Sequence, residues 1–518
     1  MAISSRSYPN LYKDSVSLMT VSARVTSIPG IEAASVVMAS ATNVDNLAQA
    51  GLGAFEIRPN DLIVAVSGSD QACDEALAVA DTLLSASPPD SGEQQSAIPT
   101  TSIQMAVAAD PALNLALISV PGDYAAAEAM KALRLGLDVM VFSDNVTADA
   151  ELALKDYAQA HDLMVMGPDC GTAIINGIPL GFANVVRRGP IGVVGASGTG
   201  TQEVTVRIHQ NGSGVSHALG TGGHDLAEAI GGISMLHGLA ALDADPATSV
   251  IVLVSKPPSP AVAAKVLAAA QDSAKPVVVN FLGADPASIT RDGVYGAASL
   301  AQAADMAVEL AGGGQPTATE IAISAEMSRI LGDLADAMAP GQRYVRGIFS
   351  GGTFCYEAQL IHRAHGITAQ SNTPVAGNSA LADLRTSQGH TILDMGDDEF
   401  TRGKPHPMID PSQKDARIRA EIADPATAVV LFDVVLGYGS ADDPTAELVS
   451  IIETSSAAAR AEGRTVAFVG YVCGTDLDPQ DRTKAVAALQ SAGVLVASSN
   501  AEAALWSATL ATARGGDR

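Results

Sequence analysis

Aromatic side chains are scarce, at 4% of 518 residues with a single tryptophan, so the surface is poor in rings for binding. Positive charge is scarcer than negative. Lys plus Arg is 30 against 56 Asp plus Glu, a net charge of −26, which repels a nucleic-acid backbone or an anionic membrane surface and excludes both as partners. The four cysteines, Cys73, Cys170, Cys355 and Cys473, form no CxxC pair, and no histidine spacing reads as a zinc site. A disulfide framework is excluded, no metal is assigned, and a reducing cytoplasm is expected. No stretch approaches the roughly 18 uninterrupted apolar residues of a membrane span, and Met1–Arg6 lacks an apolar signal core, so a cytoplasmic location is expected. There is no GxxxxGK[ST] loop and no GxGxxG with its downstream acid, so nucleotide hydrolysis on a P-loop is not indicated.

Apolar residues make up 47% of the chain and charged residues 17%, which excludes disorder and favours layered Ala- and Gly-rich domains. Short apolar runs such as Asp61–Val66, Leu113–Val120 and Val139–Phe142 alternate with Ala-rich stretches of helical period, the pattern of an α/β protein. Linkers are expected at Ser85–Pro99 and Gly312–Pro316. They leave a small α+β unit at 1–90, βαβ repeats at 100–312, and more of the same at 320–518.

The last two parts repeat one another. Gly198-Thr199 follows the apolar run Ile191–Val194 and precedes Glu203; Gly352-Thr353 follows Val345–Phe349 and precedes Glu357 by the same interval. Further on, Ala244–Val250 and Ala423–Val429 agree at six of seven positions. The distance from turn to heptad is 46 residues in one copy and 71 in the other, so the second carries about 25 extra residues. Two matches in the same order indicate an internal duplication.

An anionic substrate of so acidic a chain needs a local trap. A strand turning through Ser197-Gly198-Thr199 into a helix leaves its first amides unpaired and adds the helix dipole, which suits phosphate or carboxylate; Gly351-Gly352-Thr353 repeats the geometry. Tight strand-to-helix packing is the alternative use of such small residues. Glu203 and Glu357, one turn into each helix, are either acids that satisfy the dipole or general bases and orienting groups. The Gly222-Gly223-His224 loop follows the first helix where a βα loop reaches the same crevice. In the second copy the corresponding loop, from Asp394, opens an extra segment in which Arg402, Lys404 and His406 form a basic spot stiffened by Pro405, Pro407 and Pro411. It reads as a substrate loop with His406 as acid–base or phosphate contact, or else as a solvated surface loop. Cys170 is expected to be a buried packing residue rather than a nucleophile.

The run Met166–Gly171, with Gly192–Thr199, Glu203 and Gly220–Gly223, resembles the α subunit of succinyl-CoA synthetase over residues 100 to about 310. Asp394–Gly396, Val429–Phe432 and Gly493–Val496 resemble the C-terminal domain of that enzyme's β subunit. The whole chain, including Tyr12–Ser15, Leu18-Met19 and Gly403–Asp410, is similar to the FdrA family. The resemblance implies a Rossmann-like CoA-binding-type domain at 100–187 and two flavodoxin-like ligase domains at 188–312 and 320–518. In the synthetase the two Gly-Thr helices hold a phosphorylated histidine between their N-termini, with the helix glutamates nearby. The corresponding loop here, Phe281–Thr290, has no histidine, and the ATP-grasp portion is missing, so phosphate relay and ATP-driven thioester formation by this chain alone are not expected.

Membership of the FdrA family implies a subunit of an oxamate carbamoyltransferase of purine and allantoin catabolism, which converts oxalurate and phosphate to oxamate and carbamoyl phosphate. The implied ligands are phosphate, carbamoyl phosphate and oxamate, with CoA possible from the fold and further subunits or a homo-oligomer as partners. The helix amides bind phosphate and polarise the oxyanion, His406 or Lys404 neutralises the carboxylate or moves a proton, and Glu203 or Glu357 orients the nucleophile. Two rival expectations are an acyl-CoA ligase with its ATP-grasp part on another chain, and a non-catalytic scaffold subunit.

Overall fold

A computed structural model describes residues 2–13, 15–56, 58–85, 100–317, 321–402 and 404–514. Residues 86–99 of the expected linker, Asp14 of the Tyr12–Ser15 motif and Gly403 of the basic loop lie outside the described residues. The chain forms two compact units, one of Met1–Asp169 with Phe400–Asp410, the other of Cys170–Glu399 with Pro411–Arg518.

In the first unit, the strands Ala2–Tyr8 and Ile31–Ala39 pair antiparallel to a central Arg58–Gly68. Its alternate residues explain why both faces are covered. Leu62, Val64 and Val66 pack under the helices Ser15–Thr26 and Asp70–Ser85, while Ile63 and Ala65 meet Val44 and Leu47 of the helix Ala41–Gln49. A second sheet of three parallel strands, Leu115–Ile118, Asp138–Val141 and Val165–Met166, is covered by Ala125, Ala129, Ala132 and Leu133, one stripe of the helix Gly122–Arg134. The Tyr12 hydroxyl donates to the Ser119 carbonyl at 3.0 Å and ties the two sheets together.

The second unit holds two seven-stranded sheets. In the first, Arg188–Ala196, Val215–Gly220, Val250–Ser255, Val277–Phe281 and Val294–Gly296 are parallel in the order 2-1-3-4-5. In the second, Tyr344–Phe349, His390–Asp394, Thr427–Val435, Ala467–Cys473 and Leu495–Ala497 take the same order. This is the flavodoxin-like arrangement twice. The central strands Val250–Ser255 and Thr427–Val435 are buried along their whole length, as parallel strands covered by helices on both faces require.

The repeated heptad has a physical reason. Asp245 Oδ1 accepts from the Ala247 amide at 3.0 Å, and Asp424 Oδ1 accepts from Ala426 at 2.9 Å, so each copy uses the same Asp-Pro turn between a helix and the central strand. The extra length of the second copy sits mostly elsewhere than the sequence suggests. Twenty-five residues separate the helix Gly352–Ala364 from the strand His390–Asp394, against four between Gly198–Gln210 and Val215–Gly220. They form two short strands, Ala369–Ser371 and Ser379–Ala380, that extend the sheet; the loop bearing Lys404 and His406 accounts for little of the difference. No helix among the described residues is long and apolar enough to cross a membrane.

Candidate anion site at the duplicated helix N-termini

The two Gly-Thr turns meet. Ser197 Oγ lies 2.5 Å from Thr353 Oγ1, and a Cβ on Gly351 would stand 2.9 Å from Thr199 Cγ2. Only glycine at 351 lets the turns approach this closely. Ser197, in extended conformation, caps its helix by accepting from the Gly200 amide at 3.1 Å. That leaves the Gly198 and Thr199 amides with no acceptor inside the helix, at the positive end of a 13-residue dipole. Gly198 is exposed.

The second turn differs. The Ser350 and Gly351 amides donate to Asp433 Oδ1 and Oδ2 at 2.8 and 2.7 Å, and Lys414 Nζ bonds the same carboxylate at 2.8 Å and Ser350 Oγ at 3.0 Å. The protein's own carboxylate thus holds the two amides just before the second helix, whereas Gly352 and Thr353, the counterparts of Gly198 and Thr199, are its first helical residues and have no acceptor inside that helix. The equivalent of Asp433 in the first copy, by the heptad alignment, is Val254, so no carboxylate stands there beside the first turn. A second acid, Asp394, lies at the end of its strand, with Oδ2 2.4 Å from where a Gly352 Cβ would be. Its Oδ1 accepts from the Gly396 amide at 3.0 Å, and Asn372 brackets its backbone with two bonds. Burial pushes the Asp394 carboxyl up to about 7, offset in part by Lys256. Ser255 pairs with Ala196, so Lys256 starts beside Ser197, and its exposed ammonium reaches 5.9 Å from the Tyr356 ring centre. Burial raises the Cys355 thiol well above its ordinary value, which excludes it as a thiolate nucleophile.

Glu203 and Glu357 are 0% and 2% exposed and point away from the turns. Glu357 Oε1 accepts from the Leu300 amide at 3.0 Å, and Glu203 Oε1 accepts from the Asn500 amide at 3.1 Å. Each glutamate therefore caps the last helix of the opposite copy, Leu300–Ala311 or Asn500–Arg514. Asn500 Nδ2 donates to Glu357 Oε2 at 2.8 Å and joins the pair. Burial, then the charge of Glu357, raises the Glu203 carboxyl well above its ordinary value; burial raises Glu357.

In the loop after the first helix, Gly222 is buried, and Gly223 and His224 are exposed. Next to them Asp225 accepts from the Ser234 and Met235 amides at 3.1 and 2.9 Å, capping the helix Ile233–Ala244. Asp225→Ala is expected to lower stability by about 1 kcal/mol in thermal melts, the usual cost of a lost cap. Lys404 and His406 belong to the other compact unit. Lys404 is exposed, and His406 is half-buried with Nδ1 accepting from the Met408 amide at 3.2 Å. Sequence reasoning passed over Asp394, Asp433, Lys414 and Lys256 as site residues. A usable signal existed for the two aspartates, since each ends or interrupts an apolar strand run, Ile392-Leu-Asp394 and Leu431-Phe-Asp433.

Among known proteins, the chain is 44% identical over 501 residues to the uncharacterized protein YahF of Escherichia coli (strain K12), with 96% of each covered. The chain belongs to the YahF family. A family model described as CoA-ligase matches residues 348–510, one described as CoA binding domain matches 186–283, and one described as AllF, heavy metal-associated domain matches 1–99. The CoA-binding match thus falls on the first flavodoxin-like sheet, while the expected CoA-binding-type segment 100–187 includes the three-stranded parallel sheet. The succinate–CoA ligase [ADP-forming] α subunit of Aquifex aeolicus (strain VF5) is 28% identical over 149 residues, 28% of this chain and 48% of that one, so the match spans about half of the relative. The structure of ATP citrate lyase from Methanothrix soehngenii in complex with citrate and coenzyme A shares 20% identity over 45% of each chain, with a TM-score of 0.35.

The residues present do not fit a heavy metal in the N-terminal domain of this YahF-family chain. Its one cysteine, Cys73, is fully buried with Sγ facing the Ala2 carbonyl, and the loop after the first strand carries no thiol. For CoA, the open Gly198 and Thr199 amides with Lys256 fit one of its phosphate groups.

Proposed function

We propose that this protein, as a member of the FdrA branch, is a group-transfer subunit. It carries a carbamoyl group between phosphate and oxamate in allantoin-related catabolism, with oxalurate and phosphate giving oxamate and carbamoyl phosphate. The observation that carries this reading is the asymmetry of the paired turns. Both helices keep their first amides without an acceptor inside the helix, but acids border only the second, Asp433 on the Ser350 and Gly351 amides before it and Asp394 against Gly352, so an external anion is favoured at the first. Phosphate docks on the Gly198 and Thr199 amides with Lys256 beside it, and the same donors stabilise the tetrahedral oxyanion. Absence of a histidine in Phe281–Thr290 fits transfer without a phosphohistidine relay. The N-terminal match to the AllF-described domain supports the catabolic setting. The α-subunit relative supports partner chains. A second reading, a split acyl-CoA ligase, is favoured by the CoA-binding and CoA-ligase matches.

Gly198→Pro tests the site without disturbing the fold. Gly198 is the first helical residue, where proline is well tolerated, Ser197 before it is already extended, and a Cβ at 198 meets nothing nearer than 3.7 Å. The substitution deletes one amide donor. Isothermal titration with carbamoyl phosphate and with phosphate is expected to show affinity reduced about 10- to 100-fold, the worth of one hydrogen bond to a charged group. CoA binding tightly while carbamoyl phosphate gives no heat would move the assignment to the ligase.

A further inference from the structure

We propose that Asp394 is the proton-transfer group of this site, taking up a proton when an anion binds at the Gly198 helix and handing it to the leaving atom during transfer. The inference rests on the anion site above and adds a residue to it. Asp394 is 6% exposed, its Oδ1 and backbone are fixed by Gly396 and Asn372, and no hydrogen bond to Oδ2 is made among the described residues. A buried carboxyl held through one oxygen, with the other bonded to no donor among the described residues, is poised to take up and release a proton. That oxygen lies against Gly352, the residue before Thr353, whose hydroxyl touches Ser197 at the head of the open turn. The first copy has Gly220 at the equivalent strand end, so the acid is present on one side only.

The charges facing Asp394 come from several elements. Lys256 follows the Val250–Ser255 strand, Asp433 lies on the neighbouring strand paired with Lys414, Asp397 lies on its own loop, and Cys355 sits on the Gly352 helix. Lys256 favours the ionised form; burial, Asp397 and Asp433 oppose it, which keeps the carboxyl near neutrality. In carbamoyl transfer the step balances. With Asp394 protonated on binding, an unprotonated phosphate oxygen forms a bond to the ureido carbon of oxalurate. The C–N bond then breaks, its electron pair goes to nitrogen, Asp394 gives its proton there, and the phosphate hydroxyl proton passes to the emptied carboxylate, releasing oxamate and carbamoyl phosphate.

Sulfate is the probe for the test because it carries no proton of its own near neutral pH. Titration of the full chain with sulfate, in buffers of different ionisation enthalpy, reads the protons taken up on binding. At pH 7 the wild type should take up as much as about half a proton, and its sulfate affinity should fall several-fold from pH 6 to pH 8. Asp394→Asn, of the same shape, should bind sulfate at least as tightly, with no proton uptake and little pH dependence, and should lose about 10²- to 10⁴-fold in turnover. Asp394→Glu should regain proton uptake. Sulfate binding with no proton uptake, or with the same uptake in Asp394→Asn, overturns the role of Asp394 and leaves the anion site standing. No sulfate binding by the wild type overturns the anion site and this role with it.

Discussion

Lys414→Met should lower the melting temperature of the unit formed by Cys170–Glu399 and Pro411–Arg518 more than any other single change to the site, at a cost of about 3–5 kcal/mol. Lys414 is 4% exposed, and its ammonium is the one cation bonded to Asp433, itself 0% exposed, among the described residues. Methionine fills the space of the lysine stem but leaves the carboxylate buried and uncompensated. Asp433 cannot simply swing away, since it also receives the Ser350 and Gly351 amides that fix the second turn against the first. The loss should therefore spread to the Ser197–Thr353 contact, and sulfate binding should weaken together with stability. Lys414→Met/Asp433→Asn, which removes the stranded charge, should recover a large part of the loss in calorimetry. A single variant that melts with the wild type, or a double variant that melts below the single one, would show that the pair does not hold the turn.

The duplication was legible because both of its markers are local. The Asp-Pro turn needs the same few residues in each copy to close a helix and open a strand, and the Gly-Thr turn needs residues small enough for Gly351 to meet Thr199. The two sheets followed from continuous apolar runs such as Ile251–Val254 and Val429–Leu431. The partners of the site were not legible, because they depend on which copy's strand carries an acid. Asp433 and Val254 occupy equivalent positions, and the carboxylate puts a negative charge on the amides just before one helix that the other copy lacks. The helix glutamates show the same limit. Their spacing after each Gly-Thr is visible in sequence, but that they reach the opposite copy's last helix depends on how the copies pack. His406 and Lys404 drew attention through local composition, which says nothing about which unit receives the loop.

Glu203 and Glu357 give the second large effect, and its sign depends on the residue changed. Both carboxyls lie above the usual 4.5, so the folded state holds more protons than the unfolded state as pH rises from there toward the folded values. Stability from this pair is therefore present at low pH and falls as pH rises across that window. Glu203→Gln keeps an oxygen for the Asn500 amide and replaces Oε2, which has no partner among the described residues, with a neutral group. It should melt higher than the wild type at pH 8, by upwards of about 1 kcal/mol for each unit by which the carboxyl was raised. The gain should vanish near pH 4. Glu357→Ala goes the other way, because both oxygens are in use and the Leu300 amide and Asn500 Nδ2 are left unpaired in the interior, a loss of about 2–4 kcal/mol. Calorimetry of the two variants from pH 5 to pH 9 separates a structural pair from catalytic bases. If Glu203→Gln is destabilised at every pH, or abolishes turnover while melting like the wild type, Glu203 acts in the chemistry and the reciprocal-cap account fails.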